Sequence, residues 1–207
     1  LIEHAIAPVW EANHVWLIFA AVVLFTAFPA AYAAASIALH IPLVGLLMGV
    51  VLRGSAFVFR QYGGEPARAW GRVFAVASVI TPVLLGVIAG ALTSGQIVTT
   101  ITREARFVDV YVRPWLQPFP FAVGLFALLL FAFLAAVYLA WEADDAALAE
   151  DFRRRALGTA IALGPVALMT GLLAARGAPA FTDRFLHSAW TWPLHLATAA
   201  AAFTAIG

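Results

Sequence analysis

The sequence of 207 residues contains no cysteine and no lysine. Without cysteine it has no disulfide framework, no thiolate metal site and no cysteine nucleophile. All twelve of its basic residues are arginine, and with eleven acidic residues they leave a net charge of +1. This balance gives no reason to expect a nucleic acid or an acidic partner. No HExxH, GxSxG or P-loop motif occurs, so the sequence shows no self-contained active site.

Charged residues are also scarce. They make up 11% of the chain, whereas 64% of the residues are hydrophobic, and the mean hydropathy is +0.95. Soluble domains are usually about half apolar and about a quarter charged. A chain of this composition could not cover a water-exposed surface with polar groups, so the sequence predicts an integral membrane protein.

Apolar runs of about 20 residues identify candidate membrane spans. Six are found, at 9–34, 37–60, 69–96, 116–141, 154–176 and 188–206. Prolines within them, such as Pro29, permit kinks, and the small residues of "GVIAG" (86–90) permit close helix packing. All seven tryptophans fall near span ends, as an aromatic belt requires. No alternating pattern typical of a transmembrane barrel is present. We therefore expect an all-α, polytopic membrane bundle of about six helices, with 1–207 as a single domain.

The loops between these spans define two membrane faces. Side A is the face at residue 10, and it also carries the connections near 61–68 and 142–153, whereas 97–115 and 177–187 are expected to be loops on side B. The stretch 142–155 is interpreted as a solvated loop that extends the adjacent helix. Six arginines fall on side A and five on side B. The "RRR" cluster on side A favours this face as the cytoplasmic one.

Of the eleven acidic residues only Glu11 is plausibly drawn into a span, and of the twelve arginines only Arg53 lies well inside one. A charge at membrane depth costs about 2.5–3.5 kcal/mol on insertion scales unless it is paired or faces water or protein. Arg53 is expected about 10 Å in from side A, in the same leaflet as Glu11. One hypothesis is a Glu11–Arg53 pair, or a water-linked cluster with Asn13 and His14 in which Glu11 and His14 handle protons. In the alternative, Arg53 snorkels to the interface and Glu11 is a first-turn carboxylate favoured by the helix dipole.

The histidines raise the question of a haem site, which needs two ligands at one depth. His14 lies at side A, whereas His195 lies about 12 Å deeper than His187. Only His40 and His187 share a level, at side B, and both positions are interfacial. A structural or interfacial role is therefore favoured for the histidines, with a His40–His187 haem as the alternative.

The first two spans resemble a known family. "PVWEANHVWLIFAAVVLFTAFPAAYA" (8–33) is similar to the pattern P-x-W-D-G-N-[EQ]-V-W-L-I followed by F-P-x-x-Y, found in subunit II of cytochrome bd-type quinol oxidases. "LRGSAFVFR" (52–60) resembles that family's F-R-G-[VI]-[SA]-F-E-[FY]-R. The segment from "LQPFPF" (116–121) and the later "RRRA" (153–156) are similar to further family segments. Matching positions are Pro8, Trp10, Asn13, Val15, Trp16, Leu17, Ile18, Phe28, Pro29, Tyr32, Arg53, Gly54, Phe57, Phe59 and Arg60.

The resemblance implies a non-catalytic membrane subunit that ligates no cofactor itself. Its partner, subunit I, would carry haems b and d and the quinol site, and lipids, a bound quinone and a small single-helix subunit are further expected partners. Trp10, Glu11 and Arg53 would line a proton path from the cytoplasm, with Asn13 and His14 as additional candidates. The expected location is the plasma membrane of a bacterium or archaeon.

The chain departs from the family pattern at several positions. Glu11 replaces the usual aspartate, Ala12 the glycine and His14 the Glu or Gln, while Val58 stands where an acidic residue is usual. A route that relies on two carboxylates is therefore in question, unless His14 substitutes for one. The family's first helix is not found before Leu1, so we expect a fragment or a shortened relative.

The sequence as a whole favours subunit II of a bd-type terminal oxidase. This complex would oxidise quinol and reduce O2 to water. Two alternatives from other classes stay open. One is a small-solute or proton-coupled transporter that uses Glu11 and Arg53, and the other is the His40–His187 membrane cytochrome.

Overall fold

A computed structural model describes the backbone of residues 2–61, 66–97 and 106–206, and the side chains of 15–59, 68–97, 106–201 and 204. These residues form helices and no strand, which confirms the all-α prediction. The helices are α1 (Ile2–Ala27), α2 (Pro29–Ala38), α3 (His40–Gln61), α4 (Pro66–Ser94), α5 (Phe107–Tyr111), α6 (Pro118–Glu142), α7 (Ala146–Gly177), α8 (Pro179–His187) and α9 (Thr191–Ile206).

Four helices in the described part of the chain are long and apolar enough to cross a membrane. They are the segments His40–Phe59, Arg68–Ser94, Pro118–Glu142 and Ala146–Gly177. A fifth crossing exists if α1 and α2 together count as one bent span. The expected sixth span, 188–206, corresponds to α9, which has only 16 residues. It is not among the candidate spans of the described residues, which number four or five where about six were expected.

The first predicted span, 9–34, is broken rather than continuous. The helix axis bends by 117° between α1 and α2. Phe28 leaves helical geometry, with φ −132° and ψ 56°, and Pro29 opens α2. Proline has no N–H to donate to the carbonyl four residues earlier, and its ring clashes with that carbonyl. The kink that Pro29 was expected to permit is thus a sharp turn between two helices.

Three antiparallel pairings between the long helices build the bundle: α3 on α4, α4 on α6, and α6 on α7. Glycines let α4 and α6 approach closely. A Cβ added to Gly86 would lie 2.6 Å from the carbonyl oxygen of Val123, and one added to Gly124 would lie 2.8 Å from that of Val83. Backbones this close leave no room for side chains, which is the packing typical of small residues in membrane helices. The packing role predicted for "GVIAG" is confirmed.

Little of the bundle is buried within the chain itself. One small core joins Leu39 of the α2–α3 junction to Ala91 of α4, and another packs Phe119 of α6 against Ala174 of α7. Large apolar side chains otherwise face outward, and on α7 Ile161 is 76% exposed. Such an outer surface suits lipid or a partner's helices rather than water.

Three stretches expected to be loops contain helix. α5 lies within 97–115, and α8 occupies 179–187. α7 begins at Ala146, eight residues before the predicted start, because Asp145 caps it by accepting the N–H of Ala147 at 3.0 Å. A hydropathy search detects only apolar runs, so it does not detect the polar first part of α7. Ion pairs at i,i+4 spacing support this part of the helix, such as Glu150–Arg154 (3.0 Å) and Asp151–Arg155 (2.9 Å).

Candidate functional site

The predicted site residue Arg53 lies where α3 packs on α4, and we call this contact the α3–α4 seam. Four contacts fix its antiparallel register. From side A inward they join Phe59 to Trp70, Arg53 to Phe74, Gly49 to Thr81 and Gly45 to Leu84. The Phe59 and Trp70 rings stack with their centres 4.8 Å apart and their planes at 24°. An aromatic pair therefore closes the seam at side A, and glycines bring the helices together deeper in.

Arg53 is half-buried, and its guanidinium carbon lies 5.5 Å from the centre of the Phe74 ring. A cation over an aromatic face gains about 0.5–1 kcal/mol at exposed sites and about 2 when desolvated. The charge is thus held between two spanning helices by an aromatic partner. Sequence reasoning did not identify Phe74, although the pairing has a signal. Arg53 lies eight residues before the end of α3, and Phe74 eight residues after the start of α4.

The other proposed proton-path residues belong to α1. Trp10, Glu11, Asn13 and His14 lie within its helical backbone, but their side chains fall outside the described residues. The Glu11–Arg53 pair and the wider polar cluster therefore stay predictions. The described part of α1 packs mainly on α2 and also meets α6.

Val58 stands where the family pattern carries an acidic residue, and it is 48% exposed. It lies on α3, five residues beyond Arg53. An exposed apolar side chain on a spanning helix is suited to lipid or a partner subunit. The side chain of Val58 therefore gives the α3–α4 seam neither a charge nor a hydrogen-bonding group.

Two of the three histidines with described side chains have a polar contact within about one turn of their own position, whereas Nε2 of His195 is buried without a hydrogen-bond partner among the described residues. The Nδ1 of His40 lies 3.1 Å from the carbonyl oxygen of Ile37, and its ring meets that of Tyr111 edge-on at 5.1 Å. His187 is exposed, with Nδ1 3.1 Å from Asp183 Oδ1. The His195 ring packs on Phe185 at 4.3 Å. Among the described residues, no three His, Cys, Asp or Glu side chains group to hold a metal ion.

Comparison with known proteins decides the family. The sequence profile of "Cytochrome bd terminal oxidase subunit II" matches residues 1–207. The chain belongs to this family. Together with its long apolar helices, membership makes this subunit II relative a multi-pass membrane protein. The resemblance noted in the first spans is confirmed.

The chain is similar in sequence to oxidase subunits of three bacteria. The chain is 37% identical over 112 residues to a "Cytochrome bd ubiquinol oxidase subunit 2" of Bacillus subtilis, a match covering 53% of this chain and 33% of that protein. It is 33% identical over 94 residues to the "Cytochrome bd-I ubiquinol oxidase subunit 2" of Escherichia coli, covering 44% and 25%. A "Probable cytochrome oxidase subunit 2" of Haemophilus influenzae is 27% identical over 150 residues, covering 69% and 38%. The chain thus spans between a quarter and two fifths of the length of these relatives.

Proposed function

We propose that this chain is the second membrane subunit of a bd-type terminal oxidase that passes electrons from quinol to O2. The observation that carries this is the family match over residues 1–207, supported by the bundle of long apolar helices. Residues 1–207 act as one membrane domain, and the complex resides in the plasma membrane of a bacterium or archaeon. The alternatives, a transporter or a stand-alone cytochrome, have no comparable support.

In this proposal the chain carries no reacting group of its own. A partner subunit holds haems b and d and the quinol site, and two quinols reduce one O2 to two waters. The outward-facing apolar side chains of the bundle offer surface to that partner, to lipid, and to a bound quinone or a small single-helix subunit.

The chain's own chemical contribution is a path for protons. Reduction of O2 consumes protons, and if these come from the cytoplasm the reaction builds a membrane potential without a dedicated pump. Glu11 takes up protons at side A, and His14 and Asn13 extend the polar group around it. Arg53 favours the ionised form of Glu11, since a nearby positive charge stabilises a carboxylate. Trp10 packs at the subunit interface or against a quinone or lipid tail.

The proposal is tested by removing the chain from its native membrane. Membranes from a strain that lacks the full-length protein should lose the quinol-driven O2 consumption that depends on this complex, and a plasmid copy should restore it. Loss of solute uptake with intact O2 consumption would instead identify the transporter alternative. A haem spectrum from the chain purified without any partner would identify the cytochrome.

A further inference from the structure

Two hydroxyl groups in the α3–α4 seam differ from the other hydroxyls of the bundle. Ser78 Oγ and Thr81 Oγ1 are buried and have no hydrogen-bond partner among the residues whose side chains are described. Helical serine and threonine hydroxyls often donate to the carbonyl one turn earlier. Six threonines here do so, at 2.7–3.1 Å: Thr26, Thr93, Thr159, Thr170, Thr182 and Thr198.

The register of the seam places both hydroxyls between the helices. A Cβ on Gly49 would fall on Thr81 Oγ1, so this oxygen occupies the space that the glycine of α3 leaves. Ser78 is three residues from Thr81 and four from Phe74, and this spacing puts the three side chains on one face of α4. Ser78 therefore lies between the Arg53–Phe74 contact and the Gly49–Thr81 contact. The two hydroxyls thus continue the seam inward from Arg53.

A buried hydroxyl without a partner is unfavourable, and lipid cannot supply one inside the membrane. In proteins, a buried water molecule can hydrogen-bond to such a group where two to four polar partners are available to the water. Ser78 and Thr81, on adjacent turns of one helix face, offer two hydroxyls within reach of each other through one water molecule. Gly49 leaves the space in α3 that Thr81 Oγ1 occupies, so this hydroxyl lies between the two helices.

We propose that Ser78 and Thr81 bind water within the α3–α4 seam, and that this water relays protons between the two hydroxyls, about 4.5 Å along the helix axis and directed inward from Arg53. Hydroxyls and water both donate and accept, so each passes on one proton as it receives another and then reorients. The positive charge of Arg53 disfavours a resting hydronium beside it, which keeps the relay neutral between transfers. The relay deepens the proton path of the proposed function and rests on it, whereas the water site does not.

The test uses the purified complex with the full-length chain. Thr81→Val removes the hydroxyl and keeps the side-chain shape, Ser78→Ala removes the other hydroxyl, and Thr81→Ser restores a hydroxyl at position 81. Thr93→Val is the matched control, because Thr93 lies on the same helix and its hydroxyl already donates to the carbonyl of Ala89 at 2.7 Å. A high-resolution electron cryo-microscopy map should show water at hydrogen-bonding distance from Ser78 or Thr81, and that density should vanish in Thr81→Val.

Turnover tests the relay separately. Quinol-driven O2 consumption should fall about fivefold in Thr81→Val, which corresponds to about 1 kcal/mol on a barrier, and the ratio of rates in H2O and D2O should rise. Haem content should be unchanged, Thr81→Ser should recover the rate, and Thr93→Val should behave as the parent. The isotope ratio is the deciding readout, since a merely structural defect would lower assembly without raising it.

Several results would overturn the proposal. A map that resolves other internal waters but shows the Thr81 hydroxyl turned to the carbonyl of Ala77, with no water beside it, would remove the water site. Water present with turnover and isotope ratio unchanged in Thr81→Val and Ser78→Ala would remove the relay. A complex without any quinol oxidase activity would contradict the proposed function instead, and the map would still decide the water site.

Discussion

Arg53 and Phe74 face each other across the α3–α4 seam, with the guanidinium carbon 5.5 Å from the ring centre. Both residues lie within the candidate spanning helices. The face of the Phe74 ring is one interaction that the fold supplies to Arg53, and any carboxylate from α1 would add to it.

The first prediction concerns the energy of this contact. A double-mutant cycle of Arg53→Met and Phe74→Leu should give a coupling free energy of about 0.5–2 kcal/mol, the range of cation–π interactions. Unfolding of the purified chain in mixed micelles measures it. The pair Arg53→Met and Phe131→Leu serves as the control, because Phe131 is an exposed residue of α6. Equal coupling in both cycles would mean that Phe74 has no particular role in holding the charge.

The second prediction concerns Glu11. Glu11→Gln keeps the shape and removes the ionisable proton, so O2 consumption by the complex should fall while haem content and subunit composition stay the same. Glu11→Asp keeps a carboxylate and should retain most of the activity. A Gln variant as fast as the parent would remove Glu11 from the proton path and leave the assembly role of the chain intact.

The third prediction concerns the close approach of α4 and α6. An Ala side chain at Gly86 would collide with the backbone at Val123, where 2.6 Å is available, so Gly86→Ala should destabilise the bundle by about 1–3 kcal/mol. Gly171→Ala in α7 meets nothing within 4 Å. It should be neutral or slightly stabilising, since alanine is the better helix former. The melting temperatures of the two variants, measured side by side in detergent, check the difference.

The architecture was largely predictable from hydropathy. Four of the apolar runs became spanning helices because about 20 apolar residues have few other stable arrangements in a membrane. The break at Phe28 was harder to predict. Pro82 and Pro165 remain inside continuous helices, so a proline alone does not reveal whether a span bends or divides.

The candidate site was predictable only in part. Arg53 was identified because a charge inside a span is rare, whereas Phe74 and Trp70 looked like ordinary apolar or belt residues. Ser78 and Thr81 carry no sequence signal at all, because most helical hydroxyls bond to their own backbone. Their setting depends on the register between α3 and α4, and this register follows from glycine positions on one helix matched to side chains on the other.

The fourth prediction concerns orientation, where six arginines against five leave charge bias weak. These 207 residues contain no cysteine, so a single introduced one is the sole thiol within them. With side A cytoplasmic, Asp144→Cys in the α6–α7 connection should react with a membrane-impermeant maleimide only after the cells are opened. Ala180→Cys in α8 should react from outside. The reverse pattern would invert the topology and place the Glu11 end of α1 outside.

The central claim, membership in a haem-bearing oxidase complex, is tested most directly by purifying the tagged full-length chain from its native membrane in mild detergent. A reduced-minus-oxidised spectrum of the material should show b- and d-type haem bands, or b-type bands alone, together with a larger partner subunit. Prepared without that partner, the chain should be spectrally silent. A pure, monodisperse chain that comes from native membranes with neither partner nor haem would contradict the account.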